Sequence, residues 1–345
     1  MEDPMPDDYS GGLDDAREYF LSEAPANPQL RESASIWVSD SEGVINLPRI
    51  GIEKIGAKWD APDFQVNIAF PDGRAVVARQ SGVGATPVDD DGICRRMRAG
   101  ALEFRCVEPF STWEVTYEGE AHDTTAANLS RGELRDAPTV EVSVHVEAAI
   151  AAPPWVPGTL LAEAGSMMAD SIEGVFISDR YEQLVRTRGT VRVGTEEFAF
   201  AGTGLRIRRQ GVREIAGFWG HCWQSALFPS GRGFGFLTFP PRPDGEPSYN
   251  EGYVFDGQAL VPATVVRAPW LRRLTPIGED TSLVLRTADG EIAIEGENLF
   301  STFLAPGENA EFVPALHQAG CRYRWDGEET YGMMERSIPS DQLES

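Results

Sequence analysis

Short apolar or alternating runs, each closed by turn residues, recur along this chain from Ser35 to Glu295. They occupy Ser35–Val38, Val44–Leu47, Phe64–Phe70, Ala75–Ala78, Leu102–Val107, Trp113–Tyr117, Val140–Ile150, Val191–Val193, Phe198–Ala201, Leu283–Arg286 and Ile292–Glu295, with Pro71-Asp72-Gly73 a representative turn. Successive side chains on a strand point to opposite faces, so runs this short bury one face and stop. Many such strands with regular turn signals predict an all-β sandwich or barrel architecture.

At 345 residues the chain has room for two domains, each with its own core. Gln65–Arg74 and Gln224–Arg232 both end in Phe-Pro-x-Gly-Arg with a strand following, one in each half, which supports two similar β domains. Ala151–Gly174 is the expected junction: Pro153, Pro154 and Pro157 break a strand, Leu160–Met168 has room for one or two helical turns, and Trp155, Leu161, Met167 and Met168 are too apolar for a free linker. The expected organisation is a tail and helix over 1–30, with Leu13, Ala16, Phe20 and Leu21 forming the stripe of a helix over Leu13–Ala24. A first β domain follows over 31–174, a second over 175–338, and a disordered tail over 339–345.

The chain carries 54 acidic against 30 basic residues, a net charge of −24, which opposes encounter with nucleic acid or an anionic membrane. No apolar run approaches the roughly 18 residues a membrane span needs. The first residues have neither a basic region nor an apolar core, so no secretory signal is expected and a cytoplasmic location is. Cys94, Cys106, Cys222 and Cys321 lack paired short spacing, which argues against a zinc site and for reduced thiols. With no Gly-rich phosphate loop, Gly-x-Ser-x-Gly elbow or dinucleotide fingerprint, neither a cofactor nor a metal is expected.

The chemically densest stretch is Gly204–Phe239. Arg206, Arg208, Arg209 and Arg213 fall within eight residues of an acidic chain, where each either holds a substrate oxygen or pairs with one of the chain's own carboxylates. Arg213 and Glu214 stand beside the aromatic run Phe218, Trp219 and Trp223, in which His221 titrates near neutrality. The tryptophans and Phe218 are either the walls of a ligand cavity or core, and His221 is either an acid/base or a satisfied core histidine.

Elsewhere, Glu141–Glu147 alternates, with Val142, Val144 and Val146 on one face and Glu141, Ser143, His145 and Glu147 on the other, a solvated face or a carboxylate–imidazole pair. Tyr181 and Glu182 follow the junction, either as a proton-handling set or as plain edge-strand composition. The closing hairpin turns at Asp326-Gly327, with Tyr323 and Trp325 in the core and Glu335 paired with an arginine.

The order of Trp113-Glu-Val-Thr-Tyr-Glu-Gly, Arg180-Tyr-Glu-Gln, Gly189-Thr-Val-Arg-Val, Phe200-Ala-Gly-Thr-Gly-Leu-Arg, Gly211-Val-Arg-Glu and Tyr331-Gly-x-x-Glu-Arg resembles the AttH-like and carotenoid 1,2-hydratase (CrtC)-like proteins. The resemblance covers residues 60–336 and implies two distorted lipocalin-like barrels with an apolar cavity in or between them. It also implies cofactor-free hydration, cyclisation or pericyclic chemistry. The family follows its Gly-x-Arg with Asp, whereas here Arg206 is followed by Ile207, Arg208, Arg209 and Gln210. Arg213 and Glu214 match the second half of the motif, and His221 with Trp223 is expected to stand in for the first.

Together these readings predict a cofactor-independent lyase or isomerase acting by proton transfer on a terpenoid, steroid-like or aromatic molecule. The expected catalytic set is Glu214, His221, Arg213, Tyr181 and Glu182; the expected substrate-binding set is Trp219, Trp223, Phe218, His145 and Arg206. A lipocalin-like carrier of the same hydrophobic ligand is the alternative, and a homodimer is compatible with either.

Overall fold

A computed structural model describes residues 8–169, 171–214, 217–242, 244–305 and 314–344. The fold is all-β. The first unit contains β1 (Leu30–Asp40), β2 (Asn46–Ile55), β3 (Asp63–Ala69), β4 (Arg74–Ser81), β5 (Gly84–Ala85), β6 (Arg96–Ala99), β7 (Leu102–Glu108), β8 (Thr112–Thr125), β9 (Thr139–Ile150), β10 (Arg180–Val193) and β11 (Glu196–Val212). The second contains β12 (His221–Leu227), β13 (Gly233–Thr238), β14 (Asn250–Phe255), β15 (Leu260–Arg267), β16 (Leu283–Thr287), β17 (Gly290–Leu304), β18 (Ala315–Trp325) and β19 (Glu328–Ile338). Among the described residues three short helices accompany them: α1 (Ala126–Ser130), α2 (Ala162–Met168) and α3 (Ile172–Ile177).

The second unit is a closed eight-stranded barrel in sequence order. In the first, an eleven-stranded sheet runs β4-β3-β2-β1-β11-β10-β9-β8-β7-β6-β5 and closes through an extra β4–β8 pairing, Arg74–Val77 against His122–Thr125. Closure leaves a ring without free edges apart from the β7-β6-β5 flange. The sheet changes hands between Val212 and His221, so β10 and β11, assigned by sequence to the second domain, hydrogen-bond within the first sheet.

The two Phe-Pro-x-Gly-Arg hairpins have the same turn. Phe70 and Phe228 donate to the carbonyls of Arg74 and Arg232 at 3.0 and 2.8 Å, and Gly73 and Gly231 donate back at 3.1 and 2.9 Å. Asp326 and Gly327 carry φ of 48° and 80°, the left-handed pair that a two-residue hairpin turn requires.

Each ring is filled by its own apolar cluster, with Ile36, Ile50, Val66, Phe104 and Val146 in the first and Phe234, Phe236, Leu283 and Tyr323 in the second. A third cluster, including Trp37, Trp155, Phe176, Leu205, Ile207, Trp223, Phe239 and Tyr253, forms the seam between the rings. Trp155 and Ala164 anchor the junction there, while buried Glu251 accepts hydrogen bonds from Trp155 Nε1 (3.0 Å) and the backbone of Leu160 and Leu161 (2.9 Å each).

Two terminal expectations are corrected. The helix over Leu13–Ala24 is a single 3₁₀ turn, Asp15–Glu18, capped by Asp14. Buried Glu18 is pinned to Trp113 and Arg206, and Pro25 and Pro28 stand in the bends and turn that lead to β1, where a helix cannot continue. The carboxy-terminal segment is ordered over its described residues: Ser340–Gln342 form a 3₁₀ turn and Glu344 N donates to the Arg272 carbonyl at 2.9 Å. The four cysteines are buried and form no disulfide. No described helix is long and apolar enough to cross a membrane.

Candidate functional site at the seam

Strand periodicity decides which polar side chains meet. On β12, Cys222 and Ala226 fill the barrel, so His221 and Trp223 point out of it toward the seam. Their partners across the ladder are Ser337 and Glu335, whose side chains therefore lie on the same outer face. Gly220 makes the approach of the strand possible. Its φ of 118° lies in the left-handed region, and a Cβ there would come within 2.6 Å of the Ser337 carbonyl oxygen.

The result is a buried His221 whose Nδ1 lies 2.7 Å from Ser337 Oγ and whose Nε2 lies 3.4 Å from Glu335 Oε1. Glu335 Oε2 accepts from Gln318 Nε2 at 2.7 Å, and Gln318 Oε1 accepts from Asn67 Nδ2 of the first ring at 2.9 Å. Burial depresses the His221 imidazole below its ordinary range, with Glu335 opposing and Arg180 and Arg213 adding to the effect. Burial would raise the Glu335 carboxyl, but His221, Arg49 and Gln318 outweigh it and bring it down to about 2. Near neutral pH the pair is thus an uncharged imidazole beside an ionised carboxylate.

This pair stands on the wall of a cleft of about 930 Å³ at the seam, built from β2–β4 on one side and from Leu304, Leu316 and Glu335 on the other. On β2 the inward residues Ile50 and Ile52 alternate with Arg49, Gly51 and Glu53, which face the cleft. Arg49 follows Pro48 where the β1–β2 register shifts, and it carries a φ of 101°, uncommon for a residue with a side chain. Its guanidinium lies over Trp37 at 5.5 Å and 3.4 Å from Glu335 Oε2.

Arg213 enters from the chain after β11. Its Nε donates to the Phe176 carbonyl at 3.0 Å, its guanidinium covers the Phe176 ring at 4.6 Å, and Nη1 lies 3.5 Å from Glu53. Burial lowers Arg213 to about 10 and Arg209 well below the usual arginine range, in each case with neighbouring arginines adding to the depression. Glu53, whose carboxyl burial alone would raise, is held at about 2 by Arg213, Arg31, Arg209 and Arg49.

Of the residues singled out by sequence, His221 and Arg213 line the cleft, and Trp223 lines a small void of about 20 Å³ behind it. Glu214 is exposed and accepts from Gln29 at 3.2 Å. Glu182 is buried behind the void, accepting from Trp223 Nε1 at 2.9 Å, with Arg180 at 2.6 Å and burial raising its carboxyl. Tyr181 donates to Glu18, and Arg206 pairs with the same carboxylate at 2.7 Å at the opposite, inward face of the sheet. Phe218 stacks on Phe176 at 3.5 Å and Trp219 donates to the Pro240 carbonyl at 3.0 Å, both as packing behind the cleft. His145 is 41% exposed and lies 3.0 Å from Glu114.

Sequence reasoning missed Arg49, Glu53 and Phe176 and gave Glu335 only an arginine partner, which Arg49 supplies. The available signals were the Pro48-Arg49 break in a strand and the alternation of Arg49 and Glu53 with isoleucines.

The family described as a domain of unknown function, DUF7064, matches residues 16–340. No curated protein matches the chain. Among solved structures, an AttH-like protein from Nitrosomonas europaea is similar at 12% identity and a TM-score of 0.56, covering 92% of this chain and 98% of that one. CghA, solved with Sch210972, is similar at 12% identity and a TM-score of 0.56, covering 91% and 89%. Kievitone hydratase from Nectria haematococca aligns at 11% identity and a TM-score of 0.47 over 94% of each chain. The AttH-like protein and CghA share this chain's fold, the one anticipated from its motifs.

Proposed function

The chain belongs to the DUF7064 family, and for it we propose cofactor-independent acid/base chemistry, as a lyase or isomerase, in the cleft at the seam. The observation that carries this reading is the neutral His221 beside ionised Glu335 on a cleft wall where Arg49 and Arg213 also stand. A neutral imidazole removes a proton from carbon next to a carbonyl, or from water adding to a double bond. The 3.4 Å spacing to Glu335 lets the carboxylate stabilise the imidazolium that forms. The same proton, returned to a neighbouring carbon, completes an isomerisation; delivered to a departing hydroxyl, it completes a dehydration. Arg49 and Arg213 hold the substrate oxygen on which negative charge grows.

Phe64, Phe176, Leu304 and Leu316 give the cleft apolar walls among its polar groups. That mixture suits a terpenoid, steroid-like or aromatic skeleton carrying oxygen functions. The likeness to CghA supports the fold, and the chemistry rests on the cleft alone. Convergent ionised groups around one imidazole favour catalysis over simple carriage. The test is incubation in D₂O with a panel of such molecules, read by mass spectrometry. Deuterium uptake, or a mass change of one water, that disappears in His221→Ala is expected. A panel left unchanged, or changed equally by the variant, would overturn the reading.

A further inference from the structure

The seam gathers more positive than negative charge. Arg31, Arg49, Arg180, Arg209 and Arg213 surround Glu53, Glu182 and Glu335, with Glu251 further along the seam held by the N–H groups of the junction, and His221 among them is neutral. An excess of buried cations is costly unless something compensates it. In a chain with a net charge of −24, this local reversal of sign is not a consequence of composition.

Geometry places the excess at one spot. The small void behind the cleft is lined by Arg49, Arg180, Arg209 and Arg213 together with His221, and it shares Arg49, Arg213, Phe176, His221 and Glu335 with the cleft itself. Arg209 is 4% exposed; its Nε and that of Arg49 have no hydrogen-bond partner. Arg49 reaches the site from an uncommon backbone conformation at a register shift, the kind of local strain that is retained where a side chain must be aimed. Forked guanidiniums match the two oxygens of a carboxylate better than a single oxygen.

We propose that the inner end of the cleft is a carboxylate-binding site, where Arg49 and Arg213 take the acidic head group of the substrate beside His221, with Arg209 behind them at the adjoining void. This deepens the function proposed above and rests on it for the chemistry that follows, though binding itself does not. The apolar part of such a molecule then extends along Phe64, Leu304 and Leu316.

Trp37 and Trp223 meet edge to face at 4.7 Å, with Arg49 and Arg180 over their rings, so their fluorescence reports on the site. The experiment titrates the full chain with 4-phenylbutyrate and, separately, with the uncharged 4-phenylbutyramide. The acid is expected to perturb the fluorescence saturably, to raise Tm, and to bind at least about tenfold more tightly than the amide, the preference shrinking as salt is added. Arg213→Gln and Arg49→Gln, each checked for folding by urea unfolding, are expected to remove the preference, and Arg213→Lys to restore part of it. Arg188→Gln, on an arginine with a side chain 76% exposed, is the control and leaves binding unchanged. Equal binding of acid and amide, absence of acid binding, or a preference that survives both glutamine variants would overturn the proposal. Acid binding that passes these tests in a protein without proton transfer would uphold the head-group site while removing the proposed chemistry.

Discussion

Two buried ionic clusters lie on opposite faces of the same sheet, and their bookkeeping differs. At the end of the first ring, Glu18 meets Arg206 and Glu32 meets Arg208, each at 2.7 Å, with Trp113 Nε1 and the backbone of Leu21 filling further acceptor sites. At the seam, Glu53 and Glu335 are outnumbered by arginines and the group opens onto a cleft. Burial pulls against the charge of Arg206, yet Glu18 prevails and raises its proton affinity; burial and neighbouring arginines lower that of Arg209 and Arg213. Alternation along β11 creates the difference, sending Arg206 and Arg208 inward and Arg209 outward with Leu205 and Ile207. A closed, balanced cluster holds structure together; an open, unbalanced one is suited to a ligand.

The comparison is broken most strongly by His221→Ala. The expected loss is about 10²–10⁴-fold in turnover, the usual contribution of a general base, with the unfolding free energy much less affected than in the inward cluster. The reverse pattern is expected for Glu18→Gln, which strands Arg206 in the protein interior. It should cost about 3–5 kcal/mol in urea unfolding and leave 4-phenylbutyrate affinity of the folded protein unchanged.

Acid sharpens the contrast. Folded Glu53 and Glu335 titrate at about 2 against an ordinary value of 4.5, so their stabilisation is complete above 4.5 and disappears as pH falls toward 2. Circular dichroism melts across that window are expected to show Tm falling. Turnover should fall as pH drops and the imidazole is protonated, with a midpoint below 6.5. Glu335→Gln removes a group that raises the His221 proton affinity, so this limb should move to still lower pH. A limb that moves upward would contradict the pairing. The smallest effect expected is that of His145→Ala, whose half-solvated contact with Glu114 should alter unfolding free energy by no more than about 0.5 kcal/mol.

The strands and their turns were legible in local patterns, because period-two alternation and turn chemistry act within a few residues; those patterns left His221 open between an acid/base and a core histidine. Glu214 shows the limit. It adjoins Arg213 in sequence, but the two side chains take different partners, Glu53 for one and Gln29 for the other. Glu335 was visible as a charged residue in an apolar strand, whereas its partners Arg49 and His221 lie far away in sequence. Of the two places expected for the cavity, in or between the rings, the open space lies between them, because each ring is packed with side chains.

By itself the sequence determined an all-β chain, the two matching hairpins and the concentration of arginine on β11, since these depend on composition and short-range spacing. Tertiary structure alone decided which arginines are neutralised and which remain in excess. That depends on the face each strand presents and on which distant carboxylate the closing of the two rings brings within 4 Å, a register between strands that no local pattern encodes.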